Sequence, residues 1–71
     1  MPETAMKQYR EQAHLSITQL ARLARIDDTT VRRAERGEGI QEGDAEAIVE
    51  VLSKKVGQEL SLSDLGITTY A

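Results

Sequence analysis

Leu15–Gly37, LSITQLARLARIDDTTVRRAERG, is the stretch that decides the fold. It reads as two short helices joined by a tight turn. Ser16 followed three residues later by Gln19 is a capping box, which satisfies orphan N–H groups at a helix start. The helix it opens runs from about Ile17 to Arg25 and buries Leu20, Ala21 and Ala24 on one face. Asp27 suits the N-cap of the next helix, and Asp28 suits the positive end of its dipole. That second helix runs from about Asp28 to Arg36, and Gly37 is placed to end it in a left-handed conformation. Val31, Ala34 and Glu35 fall on one side of it. Asp28, Thr29, Arg32, Arg33 and Arg36 make up a polar, arginine-rich outward face.

Outward from this pair the chain continues in helical periods. Ala5, Met6, Tyr9 and Ala13 recur at three- and four-residue steps, predicting a first helix over about Thr4–Ala13 with Thr4 as N-cap. Gly37 to Gly43 holds three glycines in seven residues and reads as a loop. It lacks the lysine and spacing of a phosphate-binding P-loop, so it is a helix connection. A fourth helix is predicted from Gly43 or Asp44 to Val56, with a stripe of Ala47, Ile48, Val51, Leu52 and Val56 and Gly57 after it. Ser61 and Asp64 open a last short turn of helix containing Leu62 and Leu65. No segment alternates at period two, so the expected fold class is all-α: a compact five-helix bundle with no strand. Its expected core is Tyr9, Leu15, Leu20, Ala21, Ile26, Val31, Ile48, Val51, Leu52 and Leu65. Residues 67–71, including Tyr70, read as a loose tail.

Seventy-one residues allow one small domain, which buries only about 60% of its unfolded surface. There is no cysteine, hence no disulfide and no cysteine-based zinc site, and the lone His14 reads as a surface residue without a metal-site partner. No apolar run approaches the roughly 20 residues of a membrane span, and Met1-Pro2-Glu3 does not open a signal peptide, so a soluble cytoplasmic protein is expected. The formal net charge is −3, but its distribution is uneven. Residues 1–36 carry seven Lys/Arg against five Asp/Glu, and residues 37–71 carry two against seven. The basic surplus coincides with the arginine-bearing helix. A short exposed helix of that kind, held on a small apolar support, is a device for placing side chains in the major groove of DNA. No nucleophile–His–carboxylate set, metal-ligand spacing or cofactor motif is present, so neither an enzyme nor a cofactor is expected.

The pattern Leu15-Ser16, Gln19-Leu20-Ala21, Ala24, Ile26, Thr30-Val31, Arg33, Glu35-Arg36-Gly37 resembles the Cro/phage-repressor type of helix-turn-helix domain, also called the xenobiotic-response-element family. Leu52, Leu60, Asp64 and Leu65 fit its end, so the resemblance covers about residues 5–66. It implies a lambda-repressor-like five-helix fold with the third helix in the major groove. It also implies a buried structural salt bridge between Arg10 and Glu35. Three positions depart from the pattern. Arg25 stands where glycine usually supplies φ > 0, at a cost of about 1 kcal/mol. Ile17 stands where glutamine often reaches a phosphate. Asp28 brings a carboxylate to the face that meets DNA, where it can accept from cytosine N4 but repels phosphate.

These readings predict a DNA-binding transcriptional regulator of prokaryotic or phage type. Its DNA-binding candidates are Asp28, Thr29, Arg32, Arg33 and Arg36, with Thr18 and Ser16 at the preceding helix start. The N-termini of the second and third helices would touch phosphate. Double-stranded DNA is the expected partner, and a homodimer on DNA is expected because one small domain buries little surface there. The alternative is a protein-interaction module or antitoxin that uses the same fold and binds a partner through the acidic C-terminal half.

Overall fold

The computed structural model describes residues 5–70. Its elements are α1 (Ala5–Gln12), α2 (Ile17–Ala24), α3 (Asp28–Glu35), β1 (Ile40–Gln41), α4 (Glu42–Val56), α5 (Leu62–Leu65) and β2 (Thr69–Tyr70). The protein is therefore a mostly helical, compact five-helix domain containing a helix-turn-helix. The expectation of no strand needs correction, because two short strands bridge the end of the chain to the segment after α3. The Thr4 cap expected for the first helix lies outside the described residues.

Several helix ends are bounded by short-range chemistry. In α2 the Gln19 N–H donates to Ser16 Oγ at 3.1 Å and the Ser16 N–H donates to Gln19 Oε1 at 2.8 Å. Ser61 and Asp64 repeat the same reciprocal capping at α5, at 3.2 and 2.9 Å. Asp27 sits at the N-cap of α3 but its side chain makes no capping hydrogen bond. Two of the breaks use residues other than glycine. Arg25 adopts φ 60°, ψ 46° at the end of α2, and His14 adopts φ 58° just after α1. Left-handed backbone of this kind costs an L-residue about 1–2 kcal/mol. It is tolerated because it brings Leu15 and Ile26 onto the core that α2 also covers.

The largest fully buried side chains are Met6, Leu20, Val31, Ile48, Leu52 and Leu65, one or more from every helix. Tyr9, Leu15, Ile26 and Val51, expected within the core, are partly buried and pack around it. Ile40 and Ala45 are inside it, although the sequence pattern assigned neither to the core. The buried residues of α4 are Ala45, Ile48 and Leu52; Ile48 and Leu52 belong to the predicted stripe, and its other members, Ala47, Val51 and Val56, are partly buried and pack beside them. β1 carries Ile40 into the core, and the helix starts immediately after it at Glu42.

The strands are parallel, with Ile40 opposite Thr69 and Gln41 opposite Tyr70. The Ile40 N–H also donates to the Thr68 carbonyl at 3.0 Å. Residues 67–70 are therefore not a loose tail: Ile67 packs on the core, and the strand pair ties down Thr69 and Tyr70. A second lock joins α1 to α3. Arg10 Nε donates to Glu35 Oε2, Nη2 donates to Oε1 at 3.4 Å, and Nη1 donates to the Leu15 carbonyl at 2.9 Å. Both side chains are nearly enclosed, at 11% and 6% exposure. The guanidinium thus satisfies the carboxylate and the carbonyl of Leu15 together, as a buried charge requires.

Candidate nucleic-acid interface

Helix α3 is presented by burial of one side. Val31, Ala34 and Glu35 are buried against the other helices. At about 100° per residue, Thr29, Arg33 and Arg36 lie opposite that face, with Asp28 and Arg32 toward one flank. Thr29, Arg32, Arg33 and Arg36 are all exposed. The helix ends in a tight reversal. Gly37, at φ 80°, lets its own N–H donate to the Ala34 carbonyl at 3.1 Å and the Glu38 N–H to the Arg33 carbonyl at 2.9 Å. These are the paired bonds of a Schellman motif.

The seven candidate DNA-binding residues are not equally free. Asp28 is half-buried, and Thr18 Oγ1 donates to its Oδ2 at 2.8 Å. This bond joins the first turns of α2 and α3 and engages two of the candidates with each other. Ser16 is occupied as the acceptor of the α2 cap. Arg33 Nη2 donates to the Gly39 carbonyl at 3.2 Å, and its Nε lies 3.7 Å from Glu38 Oε1. Arg36 Nε donates to Glu38 Oε2 at 2.7 Å. Arg32 and Thr29 have no such partner among the described residues.

Two residues near this face escaped the sequence reading. Glu38 sits between two of the arginines, although the linear pattern put it in a glycine-rich loop. Its only signal is its place just beyond Gly37, where a left-handed residue turns the chain back over the last helical turn. Tyr70, 53% exposed, shares a shallow cleft with Thr29, Thr30, Arg33 and Gly39. A Cβ on Gly39 would come within 3.0 Å of the Tyr70 ring, so glycine there is what lets the ring lie against the segment after α3. Tyr70 had no local signal, since only the strand pairing brings it here.

Among the described residues no cluster of His, Asp or Glu could hold a metal ion, and no helix is long and apolar enough to cross a membrane. A family model described as a helix-turn-helix domain matches residues 4–62, and the chain belongs to that family. No curated protein and no solved structure matches it. Membership points to DNA as the partner, and the family is typically one of DNA-binding modules rather than enzymes.

Proposed function

We propose that this protein is a sequence-specific DNA-binding transcriptional regulator of prokaryotic or phage type, with α3 as the helix that enters the major groove. The reading rests on one observation above the rest. The buried face of α3 leaves Thr29, Arg32, Arg33 and Arg36 exposed together on a rigid helix. Arginine there can pair bidentately with guanine O6 and N7 or clamp phosphate. Thr29 is a second candidate for base edges. The N-termini of α2 and α3, joined by the Thr18–Asp28 bond, lie where phosphates would run. Ser16 and Thr18 keep supporting positions at that end, and Asp28 positions Thr18 as much as it reads a base. A domain 28 × 22 × 20 Å in extent spans one half-site, so useful specificity calls for a homodimer on two half-sites.

A second reading, a protein-interaction module or antitoxin on the same fold, is favoured by Leu23. It is 48% exposed beside Val51, Lys54 and Lys55, an apolar spot on the surface shared by α2 and α4. The acidic residues of the C-terminal half would then face the partner. Selection from random duplex DNA, with titration across salt concentrations, separates the two. A regulator enriches one sequence and loses affinity steeply with salt. A chain that enriches no sequence and shows no duplex binding at low salt is not a DNA-binding regulator.

A further inference from the structure

We propose that Glu38 is a built-in competitor for DNA phosphate: its carboxylate occupies, in the free protein, the fork of Arg33 and Arg36 into which a phosphodiester must come. The inference rests on the DNA-binding reading above. Glu38 Oε2 accepts from Arg36 Nε at 2.7 Å and Oε1 lies 3.7 Å from Arg33 Nε. Backbone geometry puts it there. Gly37 reverses the chain, and the Glu38 N–H is fastened to the Arg33 carbonyl at 2.9 Å. The side chain therefore starts next to the last turn of α3 and reaches both guanidiniums.

Carboxylate and phosphodiester offer guanidinium the same thing: one negative charge shared over two acceptor oxygens. A fork that takes one can take the other. All three side chains are about half exposed, at 46% for Arg33 and Glu38 and 56% for Arg36, so exchange needs only side-chain rotation. Exposed pairs of this kind are weak, so competition lowers affinity without abolishing it. The penalty falls on phosphate contacts and so applies to every sequence alike. A site that also offers base contacts can overcome it, whereas random DNA cannot. Arg32 has no such carboxylate among the described residues and stays available for the first contact. Glu38 thus sets the threshold between non-specific and specific binding.

The test measures duplex binding of the full chain by titration at several salt concentrations. Glu38→Gln is made in the natural sequence and in an Arg33→Ala/Arg36→Ala background, with Glu42→Gln as a control for long-range charge. Glu38→Gln should raise affinity for random-sequence duplex about two- to threefold and steepen the log–log salt slope by about one. In the double-alanine background its gain should shrink to that of Glu42→Gln. An equal gain in both backgrounds overturns the proposal, since Glu38 would then act only as a nearby charge. A fall in affinity also overturns it, since Glu38 would be orienting the arginines for DNA. If the natural protein binds duplex through Arg32 and Glu38→Gln changes nothing, the competitor role alone fails. If neither the natural protein nor any variant binds duplex at low salt, the DNA-binding reading fails and the proposal with it.

Discussion

Helix α3 and its end carry two arginine–glutamate arrangements of the same chemistry in opposite surroundings. Glu35 meets Arg10 with 6% and 11% of the side chains exposed, while Glu38 meets Arg33 and Arg36 with roughly half of each exposed. Position along the chain makes the difference. Glu35 comes after Ala34 on the inward face, and Glu38 comes after the left-handed Gly37, out in solvent. In the buried pair no water or outside anion can replace the lost partner, so removing one side leaves a charge in a low-dielectric interior. In the exposed fork water and ions already compete. The first arrangement holds the fold, and the second can exchange its acceptor.

The sharpest way to break this contrast is at Glu35. Glu35→Ala should lower unfolding free energy by about 3–5 kcal/mol in urea titration, since Arg10 stays buried without its carboxylate. That approaches the whole stability of a small domain, so a largely unfolded circular dichroism spectrum at room temperature is also expected. A loss under about 0.5 kcal/mol would mean that the pair is no different from a surface one. The paired replacement Arg10→Met with Glu35→Leu should recover part of the loss, because an apolar pair of similar volume removes the charge-desolvation cost while the Leu15 carbonyl loses its guanidinium donor.

The next effect lies in binding. Arg32→Ala and Arg33→Ala should each weaken duplex binding while leaving urea midpoints nearly unchanged. An arginine that reads a base should cost about 1–3 kcal/mol and relax preference at one position. One that holds phosphate should weaken all sequences alike and flatten the salt slope by about one. Because Arg33 is already engaged by Glu38 and Gly39, Arg32→Ala should be the larger of the two. The reverse order would show that the free-state partners of Arg33 do not compete with DNA.

Two smaller effects test the frame around both pairs. Arg25→Gly should stabilise the domain by about 0.5–1 kcal/mol, since relief of the left-handed strain outweighs the added freedom of the unfolded chain. A destabilised variant would show that the Arg25 side chain contributes more than its backbone costs. Smallest of all, Glu38→Gln should change stability by less than about 0.5 kcal/mol, against several for Glu35→Ala. Calorimetric melts of the two variants side by side check the contrast directly.

The features legible without tertiary structure are local. The Ser16–Gln19 and Ser61–Asp64 boxes, the stops at Gly37 and Gly57 and the inward side of α3 all depend on residues three or four apart, and each sits where the pattern put it. The left-handed Arg25 was legible through the family resemblance alone, since the turn of that family needs φ > 0 whatever residue fills it. Of the candidate site, the exposed arc of arginines was legible for that reason. The partners of those arginines were not, because hydrogen-bonding residue types say nothing about which groups the chain brings near.

By itself, then, the sequence determined five helices, the capped starts of α2 and α5 and the outward arginines of α3, since helical period and capping act within one turn. Only the tertiary structure decided that Ile40–Gln41 pairs with Thr69–Tyr70, that Thr18 holds Asp28 and that Glu38 sits in the Arg33–Arg36 fork. Two-residue strands carry no period to detect, and their pairing joins segments far apart in the chain. The side-chain contacts depend on how α2 docks on α3 and how Gly37 turns the chain, and both are set by burying Met6, Leu20, Val31, Ile48, Leu52 and Leu65 together.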